Sequence, residues 1–103
     1  MTDALFDFTD KTVLITGGSR GMGRAMALAF AERGANIVVA SRKIEACEAV
    51  ALEIEALGRH ALPVACHVAK WDDIGHLVDV SYERFGKIDV LINNAGMSPL
   101  YKK

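Results

Sequence analysis

Short apolar runs alternate along this chain with stretches in which apolar residues recur every three or four positions. Residues 12–16, Thr-Val-Leu-Ile-Thr, are nearly all apolar and stop at glycine, as a strand covered on both faces does. Residues 35–40 and 88–92 repeat that pattern. Residues 60–66 predict a third strand, in which Pro63 lacks a ladder donor and so favours a sheet edge. Between these runs the period becomes helical. From Gly21, the residues Ala25, Met26, Leu28, Ala29 and Phe30 lead to a stop at Arg33-Gly34. Ile44, Cys47, Val50, Ala51, Ile54 and Leu57 mark an amphipathic helix closed by Gly58. Ile74, Leu77, Val78, Ser81 and Phe85 mark a third helix, with Asp72 and Asp73 at its positive end and Gly86 at its close.

Strand, helix, strand, helix, strand, helix, strand predicts an α/β fold with a parallel sheet and right-handed crossovers. In a Rossmann-like, doubly wound sheet of strand order 3-2-1-4, the first and fourth strands lie side by side. The turn after the first strand then stands at the topological switch point, where ligands bind. That turn reads Thr16-Gly17-Gly18-Ser19-Arg20-Gly21-Met22-Gly23. Glycines at a strand-to-helix joint allow a tight turn and close backbone approach, and the helix N-terminus offers N–H groups and a positive dipole end to a diphosphate. The spacing Gly-x-x-x-Gly-x-Gly differs from the commoner G-x-G-x-x-G fingerprint.

The composition narrows the classes. With 103 residues, 51% of them apolar, the chain suits one domain spanning 1–103. A net charge of −1, with acids and bases mixed along the sequence, gives no basic face for nucleic acid. Cys47 and Cys66 show no metal-ligand spacing and suit reduced, partly buried thiols of a cytoplasmic protein. His67 beside Cys66 lacks further ligands at zinc spacing, so no metal is expected. His60 and His76 read as surface or helix-end residues, and Asp89 as a strand-start acid that pairs or caps locally. Residues 1–10 lack the basic and apolar segments of a secretory signal, and no run is long enough for a membrane span.

Two motifs carry a resemblance. The glycine turn, together with Asn93-Asn94-Ala95-Gly96 behind the fourth strand, resembles the short-chain dehydrogenase/reductase family, over essentially all of this chain and over the N-terminal half of the family. The resemblance implies a cofactor diphosphate held by Gly17, Ser19, Arg20, Gly21, Met22 and Gly23. It places Asn94, Ala95 and Gly96 along the adenosine and ribose side. Many members carry an acid followed by Val after the third strand, beside the adenine; here those places hold His67 and Val68. A neutral imidazole can donate to, accept from or stack on an adenine edge.

Charge bears on the choice of cofactor. NAD-preferring sites place an acid at the end of the second strand, against the ribose 2′-hydroxyl. Here that place is Ser41, followed by Arg42 and Lys43. Ser41 can hydrogen-bond to a 2′-phosphate and Arg42 can meet it with a planar charged fork, while Arg20 approaches from the glycine turn. NADP(H) is therefore expected over NAD(H).

The family's chemistry is hydride transfer aided by a serine, a tyrosine and a lysine, the last two being four residues apart on one helix face. Tyr82 is followed at four by Gly86, and Tyr101 by Lys102, Lys103 and the end of the sequence. No catalytic residue is assigned. The expectation is the cofactor-binding part of an NADP(H)-dependent oxidoreductase, truncated before its catalytic half. A carbonyl or alcohol substrate would meet that missing half, and either self-association or a C-terminal half would complete the molecule. A dinucleotide-binding module without turnover, or an inactive truncated subunit, is the alternative. The apolar fourth strand is expected to need cover on both faces, and its outer edge would be bare if the chain stops at Lys103.

Overall fold

The structure, a computed structural model, describes residues 7–94. The expectations placed on Ala95, Gly96, Tyr101, Lys102 and Lys103 lie outside those residues. Four strands and three helices alternate: β1 (Thr12–Thr16), α1 (Gly21–Glu32), β2 (Asn36–Ser41), α2 (Ile44–Ala56), β3 (Ala61–Ala65), α3 (Trp71–Phe85) and β4 (Val90–Asn93). The sheet is parallel in the order β3-β2-β1-β4, as expected.

Two apolar layers sandwich the sheet, and the parity of the strand residues decides which layer each joins. Val13 and Ile15 of β1, with Ile37 and Val39 of β2, pack with Ala27 and Ala31 of α1 and with Cys47, Val50, Ala51 and Ile54 of α2. Leu14, Val38 and Ala40 point the other way and join Val64, Cys66 and Leu77 of α3. Helices thus cover both faces, which is why β1 and the core of β2 are buried at every position instead of alternating. The buried line of α1 is Gly23, Ala27 and Ala31, four residues apart; Ala25 and Ala29 of the expected set are exposed. Small residues on that line let the helix axis lie close to the sheet.

Several boundaries shift for identifiable reasons. Ala35 falls outside β2 because its N–H donates to Phe30 O at 3.1 Å and closes the turn after α1. Ile88 and Asp89 fall outside β4. Asp89 accepts a hydrogen bond from Thr12 N at 2.8 Å and pairs with Lys87 at 3.3 Å, so it anchors the start of β1 across the sheet as well as pairing locally. β3 sits at the edge that Pro63 favours. Val78, expected in the core of α3, is 38% exposed, because only Leu77 and Ser81 of that helix are fully covered. Both cysteines are free thiols and are buried rather than partly buried as expected, Cys66 at the cavity side. Among the described residues β4 has no strand on its outer side, and its Leu91 is 64% exposed.

Candidate cofactor site

β1 ends at Thr16, and the chain turns through Gly17, whose φ of +67° is left-handed backbone that favours glycine. Gly17 N donates to Ala40 O at 2.8 Å, which pins the turn to the C-terminal end of β2. Gly21, at φ +59°, opens α1. Behind it Gly23 fits because it lacks a side chain: a Cβ there would stand 2.0 Å from Gly17 O and 2.8 Å from Asn94 Nδ2. Residue 20 is extended backbone with no side-chain cap, and the first turn of α1 holds no acid, so among the described residues its own first turn puts no anion at the helix N-terminus.

Asn94 reaches this turn from the far end of the sequence. Its Nδ2 donates to Gly17 O at 3.1 Å, and its N–H donates to Thr16 O at 3.2 Å. Beside it, Thr16 Oγ1 donates to Asn93 Oδ1 at 3.0 Å. The end of β4 therefore braces the glycine turn through side-chain and backbone bonds together.

A cavity of about 860 Å³ opens over the C-terminal ends of the strands. The glycine turn contributes Gly17, Ser19, Arg20, Gly21 and Met22; the end of β2 contributes Ser41, Arg42 and Lys43; the end of β3 contributes His67 and Val68; and Asn94 closes the β4 side. Gly23 stands behind the lining, as the residue that lets turn and helix pack. Ala46 and Cys66 also line the cavity, and sequence reasoning did not single them out as site residues. Their only signals were position: Ala46 lies in the first turn of α2, and Cys66 directly precedes His67. Three cationic residues and no carboxylate border this space among the described residues.

Local bonds set several of these side chains. Ser41 Oγ lies 3.0 Å from Cys47 Sγ and 3.4 Å from Lys43 N, which holds it at the bend between β2 and α2. His67 Nδ1 accepts a hydrogen bond from Ala69 N at 3.2 Å, and His67 N donates to Asp73 Oδ2 at 2.9 Å. The imidazole thus closes a local turn as an Asx side chain would. Burial pushes the Cys66 thiol up from its ordinary pKa, with the nearby Asp73 carboxylate adding to the shift, so it stays protonated at neutral pH. Among the described residues no group of three His, Cys, Asp or Glu side chains is placed to hold a metal, and no helix is long and apolar enough to cross a membrane.

This arrangement has close relatives. Residues 11–102 match the family model described as short chain dehydrogenase. An uncharacterized oxidoreductase of Mycobacterium tuberculosis is 44% identical over 92 residues, which are 89% of this chain and 35% of that protein. A 3-oxoacyl-[acyl-carrier-protein] reductase of Staphylococcus epidermidis is 43% identical over 91 residues, 86% of this chain and 37% of the relative. Among solved structures, the 3-ketoacyl-(acyl-carrier-protein) reductase of Brucella melitensis, complexed with NADH, superposes with a TM-score of 0.77 at 38% identity, covering 82% of this chain and 34% of that one. The chain thus spans little more than a third of the length of the curated relatives it matches. The matched sequence, the strand order and the glycine turn agree, and the chain belongs to the short-chain dehydrogenase family.

Proposed function

We propose that this chain is the cofactor-binding part, residues 1–103, of an NADP(H)-dependent short-chain oxidoreductase of the cytoplasm. The observation that carries the reading is the charge of the cavity: Arg20, Arg42 and Lys43 border it, Ser41 stands where an acid would meet a ribose 2′-hydroxyl, and no carboxylate is among the lining residues. The residues present fit a dinucleotide. The space that a Cβ at Gly23 would close brings the turn against the start of α1, whose N-terminus is free of side-chain caps and acids. In this reading Gly17, Ser19, Gly21 and Met22 receive the diphosphate, and Gly23 permits their approach. Ser41, Arg42 and Lys43 hold a 2′-phosphate with Arg20 opposite, and His67, Val68, Asn94, Ala95 and Gly96 border the adenosine. When bound, the nicotinamide cofactor supplies the hydride exchanged with a carbonyl or alcohol substrate.

Tyr82 is followed at four by Gly86, where a catalytic pair would need lysine. This supports a division of labour in which the reacting side chains come from polypeptide other than these residues, as a C-terminal half or an associated copy. The same observation favours a second reading, a dinucleotide-binding module without turnover. Hydride transfer measured with this chain alone separates the two: turnover refutes the module and the division of labour together.

Calorimetric titration with NADPH and NADH tests the cofactor choice. NADPH is expected to bind the tighter, and Arg42→Ala to weaken NADPH by on the order of tenfold or more, the scale of one lost charge-assisted bond. NADH should be nearly unaffected. A preference for NADH that survives Arg42→Ala overturns the proposal.

A further inference from the structure

We infer that His67 makes the base subsite of this cavity read a hydrogen-bond acceptor on the purine, so that the site accepts a 6-oxopurine dinucleotide as well as the 6-amino one. The inference rests on the cofactor reading above and adds which atoms of the base this chain recognises.

The position follows from the order of the strands. With the diphosphate at the turn after β1 and the ribose at the end of β2, the rest of the nucleoside extends toward the next strand end. There Cys66, His67 and Val68 line the cavity. Of these, His67 alone carries a side chain with a strong polar donor or acceptor.

The direction of its hydrogen bond follows from the ring's other nitrogen. Nδ1 accepts from Ala69 N at 3.2 Å, so in the neutral ring the proton is on Nε2. On a ring that borders the cavity, that nitrogen is an N–H donor. The Asp73 carboxylate is turned to His67 N, and neither it nor Asp72 is among the lining residues. Among the described residues, the side chains at this end of the cavity therefore offer a donor and no anionic acceptor.

Adenine and hypoxanthine differ where this matters. Both carry N7 as an acceptor, but position 6 is an amino donor in adenine and a carbonyl acceptor in hypoxanthine, and N1 changes from an acceptor in adenine to an N–H donor in hypoxanthine, so His67 reads them only through N7 and position 6. An acid in place of His67 accepts from the amino group and repels the carbonyl. The Nε2–H of His67 donates to N7 of either base, or to O6 of the oxo form.

The test compares NADPH with its hypoxanthine analogue by calorimetry, on the parent chain, His67→Asp and His67→Ala. The parent is expected to bind the two within about threefold of each other, and His67→Asp to shift the ratio toward the 6-amino cofactor by on the order of tenfold. His67→Ala should weaken both without restoring a 6-amino preference. A parent that prefers the 6-amino form tenfold, or a ratio that His67→Asp leaves unmoved, overturns the inference while leaving the cofactor reading standing. Failure of both dinucleotides to bind overturns the cofactor reading, and this inference with it. Nitrogen NMR of the His67 ring gives a readout independent of the ligand: a proton on Nδ1 instead of Nε2 refutes the donor assignment directly.

Discussion

Replacing Gly23 by alanine adds one methyl group where the structure has no room. An ideal Cβ would lie 2.0 Å from Gly17 O, whereas real Cβ contacts essentially never fall under 3.0 Å, so that carbonyl must retreat by about 1 Å (3.0 − 2.0). It cannot do so cheaply, because it accepts the 3.1 Å bond from Asn94 and belongs to a turn pinned to Ala40. Overpacking of this kind costs about 1–3 kcal/mol, and a strained or lost hydrogen bond about 1 kcal/mol more. Against this stands a helix-propensity gain of at most about 1 kcal/mol for Gly→Ala. The net expectation is a loss of roughly 1–3 kcal/mol; each kcal/mol lowers Tm by about 4–8 °C in a domain of this size. Urea unfolding followed by circular dichroism measures it. Gly75→Ala is the control: that site lies within α3 with nothing within 4 Å, so the same substitution should stabilise by about 0.5–1 kcal/mol. Asn94→Ala removes the 3.1 Å bond without adding a clash, and Gly23→Ala made on that background should still destabilise. Equal stability of Gly23→Ala and its parent would refute the claim that the turn and α1 are packed to contact.

Other expectations can be checked on the same material. Asp89 has its pKa lowered chiefly by the Thr12 N–H and then by Lys87; its stabilisation is present above the unfolded carboxyl value of about 3.9 and is lost as pH falls through the lower folded value. Urea midpoints between pH 6 and pH 2.5 should therefore fall less steeply in Asp89→Asn, and superimposable profiles would refute the role. Cys66, buried with its thiol held protonated, should resist thiol reagents at neutral pH until the chain unfolds; stoichiometric labelling of the folded protein would contradict its placement. NADPH affinity should fall with added salt more steeply than NADH affinity, since Arg20, Arg42 and Lys43 face an extra phosphate only in the first case. Parallel salt slopes would count against the 2′-phosphate subsite.

The layers of this fold were legible because burial on two faces writes itself as unbroken apolar runs, and 12–16 and 35–40 are such runs. The chemistry at the strand ends was legible through residue type: glycines where φ is positive, and cations beside Ser41. What the sequence did not disclose are couplings between residues far apart in it. Nothing near Gly17 signals Asn94, and nothing near Thr12 signals Asp89, since a side-chain bond across 77 positions leaves no periodicity. Val78 misled because the three-to-four period marks a stripe wider than the part of α3 that the sheet covers. The turn closed by His67 Nδ1 was equally hidden, because a ring can mimic a carboxylate only once its rotamer is known.

The bond from Asn94 to Gly17 O also has a kinetic meaning. It joins Asn94, the last described residue, to the turn after β1, so the glycine turn reaches its final shape only after β4 has docked on β1, the pairing with the largest loop to close. A ligand that favours the finished turn favours the docked strand to the same extent, by about 2.7 kcal/mol at one hundred times its dissociation constant. Amide exchange in β4 should then slow when a dinucleotide fills a cavity whose lining lies outside β4. Occupancy at one end of the sheet would be recorded as persistence of its last strand.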